Sequence, residues 1–252
     1  MIELISFKIV KNLIRKRKGS TLVEMLISLV LIGIVFTIAM GTLVADHNRN
    51  QTVVRLEKAY SVFEQAILSA VAKDSSVHNW IVDDGLSEIN SYLFFERYLK
   101  PTLVLLRDCK NSTEGQCNYT FKELDGTEKA LNSTWTRFFL NDGTFVALQA
   151  NGTPNYKVVY FYIDTNGKKR LNVVARDIFL FELWIQNDEN PDYVGKFLPM
   201  GHQFTRDEII SDSNMNNCNR YTNGNFCAAL IMKDSWQLKK GYPWAQARYV
   251  VQ

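Results

Sequence analysis

Glu24 is the only charged residue between Leu22 and Ala45, a run of 24 residues that is otherwise apolar, small or hydroxylic. An acid held at the centre of a bilayer costs about 2.5–3.5 kcal/mol, and less towards the edge. A carboxylate kept in such a run calls for a group of opposite charge. Immediately ahead of it stand Arg15, Lys16, Arg17 and Lys18, then Gly19 and Ser20. Two further groups carry donor chemistry. Four cysteines fall into two local pairs, Cys109/Cys117 and Cys218/Cys227. Asp164, Asn166 and Gly167, followed by Asn172 and Asp177, set hard oxygen donors around a glycine turn, the donor type that calcium takes. The same residues also read as a plain Asn-Gly hairpin turn, with Lys168, Lys169 and Arg170 adding positive charge. Catalysis finds no support: no Gly-x-Ser-x-Gly, His-Glu-x-x-His or Walker loop occurs, and His47, His78 and His202 are scattered. We therefore expect no enzyme and no catalytic residues.

Charge is distributed unevenly. Residues 1–19 hold six of the 29 Lys and Arg and one of the 26 Asp and Glu, leaving the remainder with 23 basic against 25 acidic residues, net −2. The positive excess thus lies ahead of the apolar run, as in a positive-inside membrane anchor, and not on a nucleic-acid surface. The turn at 168–170 is too short to supply many phosphate contacts, so no nucleic-acid partner is expected. Zinc is a poor reading of the cysteines, because no Cys-x-x-Cys is present and few histidines are available. Downstream of an export anchor, disulfides Cys109–Cys117 and Cys218–Cys227 are the better one.

The elements that must hold these groups follow from periodicity. From Leu22 to Ala45 the chain reaches about 36 Å as a helix, enough for a hydrocarbon core of about 30 Å. It exceeds the apolar core of about 7–15 residues of an ordinary secretory signal. Beyond Asp46, Val53, Leu56, Tyr60, Phe63, Ile67 and Val71 recur at three- and four-residue steps, which predicts an amphipathic continuation of the same helix to about Ala72. Ile2, Ile5, Ile9 and Leu13 share another helical face, either lying along the inner membrane surface or serving only as a leader. A second helix is expected over 86–99, stopped by Pro101, with Leu86, Ile89, Leu93 and Phe94 inward. Residues 108–133 read as an irregular polar insertion. Strands are expected over 135–140 and 144–149, joined by Asn141-Asp142-Gly143, then over 156–163 and 177–186. A short helix is expected over 226–234. The class is α+β: a long N-terminal helix, its first half transmembrane, against a C-terminal antiparallel sheet with loop-rich, disulfide-containing insertions.

The basic run, Gly19, the apolar span and Glu24 together resemble the processing site of type IV prepilins and type II secretion pseudopilins. The resemblance implies a pilin-like fold and removal of leader 1–19 by a prepilin peptidase, read from Lys16, Arg17, Lys18 and Gly19. It implies N-methylation of Ser20 and residues 20–45 as the membrane-spanning and filament-core half of the stem. Residues 46–252 would then form the periplasmic or extracellular domain. Glu24 would register subunits by meeting the new α-ammonium of a neighbour. Gly33 matches a common glycine of the family; Gly41 stands where many members have proline, and Ser20 where most have phenylalanine. Both glycines would let the stem loosen during assembly. Tyr160 to Gly167 and the ending from Cys227 to Trp244 are similar to C-terminal regions of large prepilin-like proteins. Expected partners are other pilin subunits, the peptidase and N-methyltransferase, an inner-membrane assembly platform and the bilayer. The expected location is the bacterial inner membrane, N-terminus cytoplasmic, and then a pilus or pseudopilus. No cofactor is required; calcium at Asp164, Asn166 and Asp177 is one reading of that loop. Alternatives are a type II secretion pseudopilin, or an uncleaved periplasmic binding domain on a simple anchor.

Overall fold

An apolar residue at every third or fourth position from Val53 onward makes one face of a helix, and that face organises the sheet. The computed structural model describes residues 22–167, 169, 172–239 and 242–243, with backbone alone for 37–46. The leader helix expected over 1–14 lies outside them. The chain divides into two compact units, one ending at Asn48 and one beginning at Arg49. Helix α1, Leu22–Lys73, runs 52 residues and contributes to both. Within the second unit, Val53, Leu56, Phe63 and Ile67 are buried, joined by Ala59, Ala66 and Ala70, while Tyr60 and Val71 are half-buried against the same core.

Strands β1 (Gly85–Leu86), β2 (Leu105–Lys110), β5 (Thr136–Leu140), β6 (Phe145–Gly152), β7 (Tyr156–Asp164), β8 (Ile178–Asn187) and β9 (Phe197–Pro199) form a seven-stranded sheet. Its order is β2-β5-β6-β7-β8-β9, with β1 also paired to β6, and every pairing is antiparallel. The four expected strands are β5 to β8. The β5–β6 turn needs Gly143 at φ +89°, and Asp142 accepts the Thr144 N–H at 3.1 Å. At Gly152 a Cβ would fall 2.5 Å from the Asp83 carbonyl oxygen, so only glycine lets the strand before the second helix approach β6.

Registry sorts the sheet into two faces. Leu148, Phe161 and Phe181 lie side by side on one. That face meets α1: Phe63 sits 5.4 Å from both Phe161 and Phe197, and Tyr60 lies 6.0 Å from Phe181. The opposite face is covered too, which is why Ile178 through Leu183 are all buried and β8 is apolar on both alternations. Here the insertion is not irregular. It folds into a hairpin, β3 (Thr120–Lys122) and β4 (Glu128–Ala130), whose alternating aromatics supply the cover. Tyr119 stacks 4.0 Å from Phe145, and Phe121 and Trp135 each lie 5.1 Å from Tyr162. Arg137, fully buried, fastens this cover: its guanidinium donates to the carbonyls of Asn111, Leu131, Asn132 and Trp135.

The second helix differs from expectation in its start and its face. Leu86 belongs to β1, Ser87 caps the helix by accepting the Asn90 N–H at 3.0 Å, and α2 spans Glu88–Phe94 before a wider turn over Phe95–Leu99. Leu86, Ile89 and Leu93 are exposed; Phe94 is buried as expected, together with Asn90, Ser91, Phe95, Tyr98 and Leu99. Backbone satisfaction decides the face. Asn90 accepts the Asp83 N–H and donates to the Asp83 carbonyl, and Ser91 Oγ accepts the Ala150 N–H. Tyr98 and Phe95 then bring larger rings to Trp80 and Phe138 than the aliphatic face could supply. Helices α3 (Arg206–Ile210) and α4 (Cys227–Lys233) complete the fold, the latter close to the expected 226–234.

Both cysteine pairs are disulfides, Cys109–Cys117 and Cys218–Cys227, and no cysteine is free. Bridges closing loops this short contribute about 2–3 kcal/mol each. The packing generates a direct contrast. Phe63→Ala should destabilise the chain by about 3–5 kcal/mol, whereas Ile89→Ser should change stability by no more than about 0.5 kcal/mol. Urea unfolding of the two variants measures both; equal losses would show that the buried face of α2 or of α1 has been misassigned.

Candidate functional site

The helix surface from Leu22 to Phe36 is apolar on every side. Each Leu, Ile, Val, Met and Phe of that stretch is more than half exposed within the chain. A helix apolar all round is one that other matter must surround. Glu24 lies in the first described turn, exposed, and Ser28 Oγ donates to the Glu24 carbonyl at 2.8 Å one turn on. Gly33 is helical, and a Cβ there would meet nothing within 4 Å; Gly41 is helical as well. Neither glycine breaks the helix. Among the described residues no helix is long and apolar enough to cross a membrane. The expected span extends into 37–46, whose side chains are outside those described. Lys16, Arg17, Lys18, Gly19 and Ser20 also lie outside the described residues, as do Lys168 and Arg170 of the basic turn.

The structure brings Asp164, Asn166 and Asp177 together at the β7–β8 connection. Asp164, almost wholly buried, accepts the Tyr119 hydroxyl at 2.5 Å on Oδ2 and the Asn166 N–H at 3.1 Å on Oδ1. Asn166 donates its amide to Asp177 Oδ1 at 2.7 Å, and Thr165 donates backbone N–H to the Asp177 carbonyl at 2.9 Å. Calcium takes six to eight oxygens. As placed, two carboxylates already engaged by Tyr119 and Asn166 offer fewer, and among the described residues no group of three or more His, Cys, Asp or Glu could hold a metal. The arrangement is a buried connection in which Asp164 and Asp177 are hydrogen-bonded, while Asn166 Oδ1 and Asn172 Oδ1 are buried without a partner among the described residues. Burial pushes the Asp164 carboxyl up to about 7, against the pull of the hydrogen bonds from Tyr119 and the Asn166 and Gly167 amides. Burial likewise raises Asp177 to about 6, opposed by Arg176. Tyr119 is held well above its ordinary value by burial and by Asp164, so its hydroxyl remains a donor.

Sequence reasoning missed Tyr119 and Arg137. The signal for the first was the alternation Tyr119-Thr120-Phe121 inside a polar segment, a strand pattern too short to stand out. Arg137 gave none, because a buried arginine in a strand is legible only once its carbonyl partners are placed.

Residues 14–40 match the prokaryotic N-terminal methylation motif, a stretch that contains the basic run, Gly19, Ser20, Glu24 and Gly33. That motif supports a type IV pilin-like class III signal peptide over this stretch, the kind of segment a prepilin peptidase processes. Residues 42–245 match a family of unknown function (DUF6613), and the chain belongs to that family. No curated protein and no solved structure matches it.

The buried acids set a pH dependence. An unfolded Asp titrates near 3.9, so between about pH 4 and pH 7 the folded state binds more protons than the unfolded one. Stability contributed by these groups is fully present below about pH 4 and is lost as pH rises through about 6 and 7. Asp164→Asn removes one of the two. Relative to the parent chain, its urea midpoint should improve between pH 5 and pH 8; a difference independent of pH would show that Asp164 ionises normally.

Proposed function

We propose that the chain is a structural subunit, a pilin or minor pilin, of a bacterial type IV filament. The observation that carries this reading is the all-round apolar helix surface from Leu22 to Phe36 with Glu24 set into it, within a stretch that matches the methylation motif. On this reading residues 1–19 are cytoplasmic, the apolar run spans the inner membrane once, and the sheet domain is periplasmic. Cleavage between Gly19 and Ser20 and N-methylation of Ser20 create a new terminal ammonium. Stems then leave the lipid for a bundle of like helices, where that ammonium meets Glu24 of a neighbour. An amine and a carboxylate close together in low dielectric favour one axial offset over others. The chain is then a building block whose assembly is driven by other proteins of an inner-membrane platform. A pseudopilin of type II secretion would carry the same motif and stem, and the identity of that platform distinguishes the two.

Mass spectrometry of the membrane-extracted protein should give a chain that begins at a methylated Ser20. An intact Met1 start in cells that contain the peptidase would overturn processing. Glu24→Ala should still be cut yet be lost from sheared filaments by at least about tenfold, the equivalent of about 1.4 kcal/mol per contact. Incorporation at the parent level would remove Glu24 from assembly.

A further inference from the structure

The sheet face turned away from α1 carries a half-open cavity of about 500 Å³ where β7 begins and β8 ends, walled on one side by the chain that follows β8. That volume suits a small ligand. Tyr156, Tyr160, Trp184 and Tyr193 supply aromatic walls, and Glu182 and His202 stand between them. Tyr156 meets Trp184 edge-on at 6.3 Å, and Tyr193 meets His202 edge-on at 4.5 Å, so the rings brace one another. Glu182 is only 5 % exposed, and its Oε1 lies 3.1 Å from His202 Nδ1.

Glu182 occupies a position in β8 whose neighbour on the same face, Leu180, is apolar and buried, and a buried carboxylate is unfavourable unless something compensates it. Trp184 Nε1 and both ring nitrogens of His202 are buried without a hydrogen-bond partner among the described residues, although Nδ1 lies within ion-pair distance of Glu182. Buried polar groups are nearly always satisfied, and unsatisfied ones ask for an explanation. The indole N–H only donates, so what completes it must carry an acceptor.

These requirements choose among ligand classes. An alkylammonium would suit the rings and Glu182, yet offers Trp184 no acceptor. An anion would answer Trp184 but confront Glu182 and Glu189 in the same wall. A sugar hydroxyl both donates and accepts, and a pyranose ring presents a C–H face to aromatic walls. We propose that this cavity binds a neutral saccharide unit, with Glu182 accepting from a hydroxyl and Trp184 and His202 turning their free nitrogens onto its oxygens. The inference concerns residues 49–252 and stands apart from how the N-terminus is processed.

The test uses the full chain in detergent, titrated with neutral hexoses, N-acetylhexosamines and their disaccharides up to about 100 mM, read by saturation-transfer NMR. At least one should bind saturably. Trp184→Ala and Glu182→Gln should each weaken it by about tenfold or more, while Ile89→Ser leaves it unchanged. Should Trp184→Ala lose its fold by circular dichroism, Tyr156→Ala at the partly exposed rim carries the same expectation. Binding of no sugar overturns the proposal, as does binding that these substitutions leave untouched. Tetramethylammonium chloride is the second arm; saturable binding of that cation in place of sugar, lost in the same variants, would overturn the saccharide in favour of an ammonium ligand.

Discussion

Burial of β7 and β8 on both faces is the constraint from which the rest of the domain follows. A central antiparallel strand usually needs one cover, with its other face in water. Here Phe161 and Phe181 need the stripe of α1, while Tyr162 and Leu180 need a second layer. The chain supplies that layer from the segment between β2 and β5, which is poor in aliphatic residues. It therefore covers the face with a few rings, Tyr119, Phe121 and Trp135, and holds them by polar means. The Arg137 guanidinium gathers four carbonyls, and the Cys109–Cys117 bridge closes the base of the same segment. Burial holds that guanidinium below its ordinary pKa, though not enough to discharge an arginine.

Such a cover brings polar groups indoors, and the domain meets most of its buried acids locally. Asp164 is reached by the hydroxyl of Tyr119, a residue of the cover itself, so the two layers are joined by a buried hydrogen bond as well as by ring stacking. Asp234, buried at the end of α4, receives three contacts of 2.9–3.2 Å from Arg206 at the start of α3. Thr205 and Glu208 form a reciprocal cap that fixes the same end of α3. Glu182 lies 3.1 Å from His202 Nδ1, and beside that pair Trp184 Nε1 is buried without a partner among the described residues.

Legibility followed the length of the pattern. The stripe of α1 repeats over five turns, and the β5–β6 hairpin joins two apolar runs through Asn141-Asp142-Gly143, so both were evident from residues alone. The apolar residues of β8 were enough to mark a strand, but the sheet was expected to present one apolar face, to the stem helix, and only placement showed the second cover. What escaped had short or conflicting signals. Around α2 the aliphatic residues Leu86, Ile89 and Leu93 obey helical spacing, yet Leu86 lies in β1 and Asn90 and Ser91 win the inward positions because loop and strand amides require acceptors there. Amphipathic reading weighs hydrophobicity and is blind to that demand. Strands β1 and β9 are two and three residues long, and β2 pairs with β5 through two register shifts; none of these has a period to detect. The buried acids near Asn166 were found by residue type, but only placement showed that their oxygens serve the protein's own donors.

The contrast along α1 carries one further step. From Val53 on, the larger apolar residues fall mainly on one face and are buried by the chain itself; up to Phe36 they occupy all faces and are more than half exposed among the described residues. One-sided patterns need a single partner, whereas an all-round pattern needs enclosure, which either lipid or a ring of helices provides. Those two environments are equivalent to Leu26 or Ile32, since hydrocarbon tails and leucine side chains are alike apolar. They are not equivalent to Glu24. Lipid tails contain no cation, so in a bilayer the carboxylate must draw on the headgroup region, while in a bundle a terminal ammonium can be brought to it at depth. On the filament reading, then, the apolar residues make the stem soluble in both surroundings and leave the choice open, and one carboxylate supplies the free-energy difference that makes the second preferable to the first.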